Sequence, residues 1–100
     1  MGIKEAKQNG KNVSVKYGNS IRTIDNSTLI GNTQNAVFVQ ASNRVITIYN
    51  EQNGNLVATS ARIYLASNAT AKVCNNTLEV KVGSACHIYD EKGKLIKSLC

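Results

Sequence analysis

Val37 to Ser60, VFVQASNRVITIYNEQNGNLVATS, reads as three short strands joined by two turns. Val37, Val39 and Ala41 alternate with Phe38 and Gln40, the period-two pattern of a strand. Ser42-Asn43 turns the chain. Arg44 to Tyr49 then sets Val45, Thr47 and Tyr49 on one face and Ile46 and Ile48 on the other. Both faces are largely apolar, the pattern of a strand covered on two sides. Glu51 to Asn55, EQNGN, is a hairpin loop, and Leu56 to Ser60 returns as the third strand.

A second, less exact copy runs from Leu78 to Ser98, LEVKVGSACHIYDEKGKLIKS. Ile48-Tyr49-Asn50-Glu51 is answered 40 residues later by Ile88-Tyr89-Asp90-Glu91, and each is followed by a Gly turn and a Leu-containing strand. Thr77 to Val82 alternates cleanly, with Leu78, Val80 and Val82 predicted inward and Glu79 and Lys81 outward. Between the copies, Arg62 to Ala66 and Thr70 to Cys74 are strands, with a corner or bulge expected near Ala61. Before them come Val13 to Tyr17, Ile21 to Ile24 and Thr28 to Ile30. Pro is absent, so Asn and Gly carry the turns.

About ten or eleven short strands with no helical stretch indicate an all-β fold, a small antiparallel sandwich or barrel built from a repeated β-meander. A β-prism or solenoid-like stack is the alternative that the repeat raises. Residues 1–12 form a polar basic arm, loose by composition. Residues 13–100 form one all-β domain with the quasi-repeat 37–60 and 78–98.

Composition narrows the function classes. Only 5% of residues are aromatic, so small β-branched and Ala side chains must fill the core, and each buries less area than a ring. The net charge of +6 raises nucleic acid as a partner. No dense Lys/Arg cluster supports it, and a solvated basic surface is the plainer reading. The longest apolar runs fall far short of the ~20 residues of a membrane span. Met1 to Lys11 lacks the apolar run of a signal peptide, which implies a virion or cytoplasmic location and reduced thiols at Cys74, Cys86 and Cys100. The four Asn-X-Ser/Thr sites, at Asn12, Asn26, Asn68 and Asn75, are what so Asn-rich a sequence produces by chance.

No catalytic constellation stands out, and no cofactor or metal is expected. His87 neighbours Cys86, but adjacent strand residues face opposite ways and cannot form a nucleophile pair. Cys74, Cys86, His87 and Cys100 lack the spacing of a zinc knuckle. A contact between Cys74 and Cys86 across neighbouring strands is the more natural expectation. Asp25, Asp90, Glu51 and Glu91 sit at turns, where carboxylates satisfy backbone groups.

The segment Ala85 to Ser98, with its core HIYDEKGKLIKS, resembles a hairpin common in β-sandwich modules of Bacteroidetes proteins, notably the C-terminal sorting domains of their secretion system. The other signatures of that domain, including a Pro-rich start, are absent, so none of its function is carried over. The resemblance points to such a bacterium, or a phage infecting one, as the source.

These features favour a non-enzymatic protein that works by assembly, most concretely an auxiliary capsid or decoration component of a phage virion. Its partners would be copies of itself or other assembly subunits. Lys4, Lys7 and Lys11 would meet an acidic surface, and Phe38, Ile46 and Ile48 are interface candidates if the two-sided strand is not simply central. The alternative is a β-sandwich binding module, either adhesin-like on carbohydrate or a basic barrel on nucleic acid.

Overall fold

In a computed structural model that describes residues 2–41 and 44–99, the chain is all-β. The strands are β1 (Ile3–Asn9), β2 (Asn12–Tyr17), β3 (Ser20–Ile24), β4 (Ser27–Asn32), β5 (Ala36–Ala41), β6 (Val45–Gln52), β7 (Asn55–Tyr64), β8 (Ala69–Cys74), β9 (Thr77–Val82), β10 (Ala85–Tyr89) and β11 (Leu95–Leu99). They form three antiparallel sheets in which every strand pairs with its neighbour in sequence: β1-β2-β3, β4-β5-β6-β7 and β8-β9-β10-β11. Asn and Gly make the turns as expected: Asn26, Asn53 and Asn75 hold φ of 50°, 52° and 56°. The predicted Ser42-Asn43 turn and Cys100 lie outside the described residues.

The three meanders stack. One apolar cluster lies between the first sheet and the central one, joining Ile3, Val13, Val15, Tyr17 and Ile24 to Val37, Val39 and Leu56. A second lies between the central and last sheets, joining Phe38, Ile46, Ile48 and Ile63 to Leu78 and Val80. The central sheet is therefore covered on both faces, which is why β6 is apolar on both. Phe38, Ile46 and Ile48 are 0% exposed within the single chain. They are core residues packed against β9, and this corrects their expected place at a subunit interface. Each such side chain contributes about 1.5–3 kcal/mol of burial.

The repeat explains where the stack stops. In β5 and β6, Phe38 pairs with Ile48 and Gln40 with Ile46. In β9 and β10, Glu79 pairs with Ile88 and Lys81 with Cys86. Tyr49 packs toward the first sheet and Tyr89 toward the central one, so both copies point their Tyr back at the preceding layer. The forward-facing set, Phe38-Ile46-Ile48 in one copy, becomes Glu79-Cys86-Ile88 beside exposed Lys72 and Lys81 in the next. Charge at those positions keeps the outer face of the last sheet solvated, as at the cap of a repeat array.

Residues 3–9, expected within a loose arm, form β1. Its inward row against β2 is Ile3, Ala6 and Gln8. Gln8 ties the strand down: its Nε2 lies 2.9 Å from the Gly10 carbonyl, 3.1 Å from that of Asn12 and 3.0 Å from that of Ser27. Its Oε1 accepts from the Leu29 amide at 2.6 Å. The Ile3 amide also donates to the Gln34 carbonyl at 2.7 Å. Gln8→Ala should cost about 0.5–1.5 kcal/mol, because it removes hydrogen bonds that link the two sheets while water reaches most of the freed backbone groups. Denaturant melts with hydrogen exchange at Leu29 would check this.

The bulge expected near Ala61 is present. Thr47 pairs with Arg62 and Tyr49 with Ala58, so Thr59–Ala61 oppose Ile48 alone. Among the described residues no sheet closes into a barrel. The expected contact between Cys74 and Cys86 does not form: β9 separates their strands, and both thiols are free.

Candidate functional site

The two sides of the stack differ. On one side β1 and β8 both pack against β4, and Gly31 of β4 lies so close to Val73 of β8 that a Cβ on it would come within 2.7 Å. The other side holds β3, β7 and β11, the last strand of each sheet, each paired on one edge only. Arg22 of β3 joins the first two, donating from Nη1 to the Leu56 carbonyl while its guanidinium lies 5.4 Å from the Tyr49 ring centre. The β10–β11 turn joins the third. Asn50 Nδ2 donates to the Glu91 carbonyl at 2.9 Å, and the Thr33 hydroxyl bonds the Glu91 carboxylate. Asn50 is buried, so Asn50→Ala should cost about 1–3 kcal/mol and raise hydrogen exchange across 90–94.

Among the described residues, five large apolar side chains stand exposed: Ile21, Val57, Tyr64, Leu95 and Ile96. All five belong to β3, β7 and β11. Ile21 is 67% and Tyr64 80% exposed. The same strands carry Arg22, Arg62 and Lys97 and no carboxylate. Their edges are not alike. Ile96 bulges out of β11, since Ile88 pairs with Lys97 and Tyr89 with Leu95. The β7 bulge is capped by Arg62, whose Nη1 donates to the Thr59 and Ala61 carbonyls at 2.8 Å each. β3 pairs residue for residue with β2 and has no bulge.

A groove of about 380 Å³ runs beside β3, between it and the central sheet. Arg22, Asp25 and Asn26 form its rim, and Val39, Thr47 and Tyr49 its floor. It offers donors, acceptors and one aromatic face, the makings of a small polar site. Asp25 is its one carboxylate, so the groove has no paired acid and base.

The candidate residues read from sequence do not form one surface. Lys4 and Lys7 are on β1 and Lys11 is in the β1–β2 turn, all exposed, while Phe38, Ile46 and Ile48 are enclosed between sheets. His87 shares a pairing row with Val80, opposite in facing to Cys86, and its Nδ1 lies 3.0 Å from the Ser98 hydroxyl. Among the described residues no group of three His, Cys, Asp or Glu side chains converges to hold a metal, and no helix is long and apolar enough to cross a membrane. The residues sequence reasoning missed are Ile21, Tyr64, Arg22 and Arg62. Comparison with known proteins yields no matching family model, no matching curated protein and no matching solved structure.

Proposed function

We propose that the protein is a non-enzymatic assembly component that acts through the β3–β7–β11 side, most concretely an auxiliary capsid or decoration protein of a phage virion. One observation carries the reading: among the described residues, every large apolar side chain left exposed lies on the three terminal strands, each paired on one edge only. Ile21 pairs with Lys16 and faces outward from the first sheet, whereas Tyr64 lies on the inner face of β7, so this side offers apolar anchors on more than one face to an added partner. The basic residues of β1, Lys4 and Lys7, lie on the opposite side and would help seat the protein on an acidic neighbour.

Co-sedimentation with the particle fraction of the source tests this. The wild-type chain should pellet with particles, and the double variant Ile21→Glu, Tyr64→Glu should remain in the supernatant. Both side chains are exposed, so the variant keeps its fold. A wild-type chain that stays soluble and monomeric beside particles counts against assembly.

The groove beside Arg22 and Tyr49 favours a second reading, a binding module for a small polar ligand such as a saccharide. Titration with a glycan set should then shift the Tyr49 and Asn26 resonances, and Tyr49→Ala should abolish the shift. Steep loss of binding with salt would instead signal nucleic acid.

A further inference from the structure

The central and last sheets each have four strands, and the first has three. β1 packs on β4 at one side, and β3 reaches the other far enough for Arg22 to meet Tyr49 of β6 and the Leu56 carbonyl of β7. The first sheet therefore covers three strand positions of the central sheet. The fourth, beside β3 and above β7, is open from Ala58 to Tyr64, while Leu56 at the start of β7 is covered by the first sheet. Register shows which β7 residues face it. Ala58 pairs with Tyr49, Arg62 with Thr47 and Tyr64 with Val45, so these three share the face that Tyr49 turns toward the first sheet. All three are exposed. On the other face of β7, where the last sheet has its full four strands, Ile63 is buried.

We propose that this open position is a docking slot for an extended acidic segment of a partner protein, which adds to β3 as the fourth strand of the first sheet. The proposal deepens the assembly reading and rests on it. A free, regular strand edge is a template for strand addition, and alternate side chains of the added strand supply specificity. β3 is the regular edge on this side. The bulges of β7 and β11, with Arg62 folded over the first, are devices that block pairing there. The inward side chains of the added strand cover Tyr64 and Ala58, and the groove beside β3 leaves room for more.

Charge selects the occupant. Arg22 and Arg62 flank the slot, and both bond backbone carbonyls; among the described residues neither has a carboxylate partner. Asp25, just beyond the end of β3, is the nearest acid in sequence. Arg22 shares the inward face of Val15, and Arg62 lies on the β7 face below the slot, so a strand alternating Asp or Glu with apolar residues meets both guanidiniums with its acidic row turned inward. A second copy of β3 fits poorly, because β3 carries Arg22 and no acid to set beside Arg22 and Arg62.

The probe is a labelled peptide, VEVTVEV, with VKVTVKV as its control, added to the full chain. The acidic peptide should bind by fluorescence anisotropy and give new hydrogen-exchange protection at β3 amides. Arg62→Glu should weaken it by roughly tenfold or more. Tyr64→Ala, at an exposed position that folding does not need, should weaken it as well. Equal binding of the lysine peptide, or binding without protection at β3, overturns the proposal. Dimerisation of the chain through β3 would also overturn it while leaving assembly intact. Peptide binding at β3 by a chain that never pellets with particles would keep the slot and remove the virion role.

Discussion

Ile48→Ala should cost about 2–5 kcal/mol, whereas Ile88→Ala, at the matching place of the sequence repeat, should cost about 1 kcal/mol. The two residues occupy the same motif, Ile-Tyr-Asn/Asp-Glu, on the third strand of their sheets. What differs is the next layer. Ile48 points forward into the last sheet and is wholly buried with Phe38, Ile46 and Leu78. Ile88 points forward into solvent, beside Glu79 on the neighbouring strand, and is half-buried. Removing Ile48 leaves a cavity between two sheets that are held apart by their other side chains. Removing Ile88 leaves a dent that water fills. A domain of this kind has only about 5–15 kcal/mol to lose, so the first variant should approach unfolding at room temperature. Urea unfolding of both variants checks the comparison, and near-equal losses would mean that the last sheet is not the end of the stack.

This asymmetry also shows what could be read from the sequence and what could not. The alternation of Leu78, Val80 and Glu79, Lys81 assigns the faces of β9 correctly, and the apolar two-sidedness of β6 marks it as central. Whether a two-sided strand is covered by its own chain or by a neighbour depends on long-range placement, which local periodicity does not carry. The second copy of the motif was itself the cover, supplying Leu78 and Val80 over Phe38 and Ile48. β1 escaped notice because its inward row contains Gln8, a polar side chain that satisfies backbone groups of β4 where an apolar one would have fitted the pattern. The docking side was illegible for a different reason. Tyr64 and Ile21 sit in ordinary strand alternation, and Tyr64 is left bare because the first sheet is one strand narrower than the central one.

Gly93→Ala should destabilise the protein by about 2–5 kcal/mol, from two causes that can be separated. Gly93 sits at φ +86°, in the left-handed region. An L side chain there costs about 1–2 kcal/mol on its own. The turn it belongs to is also pressed onto the β7 bulge. A Cβ at Gly93 would lie 2.3 Å from the Ala61 Cβ and 3.0 Å from the Ile48 Cδ1. Ile48 can swing its terminal methyl aside, but Ala61 is fixed by the bulge and cannot. Overpacking of this kind adds about 1–3 kcal/mol. Gly54→Ala supplies the control, because φ there is +80° with nothing within 4 Å of the added Cβ. It should lose only the conformational part, about 1–2 kcal/mol. Adding Ala61→Gly to Gly93→Ala removes the overlap. The pair should then show a favourable coupling above about 1 kcal/mol in a double-mutant cycle. Additive losses would place the β10–β11 turn away from the bulge. The stack would then be held at that corner by the Asn50 and Thr33 hydrogen bonds to Glu91 alone.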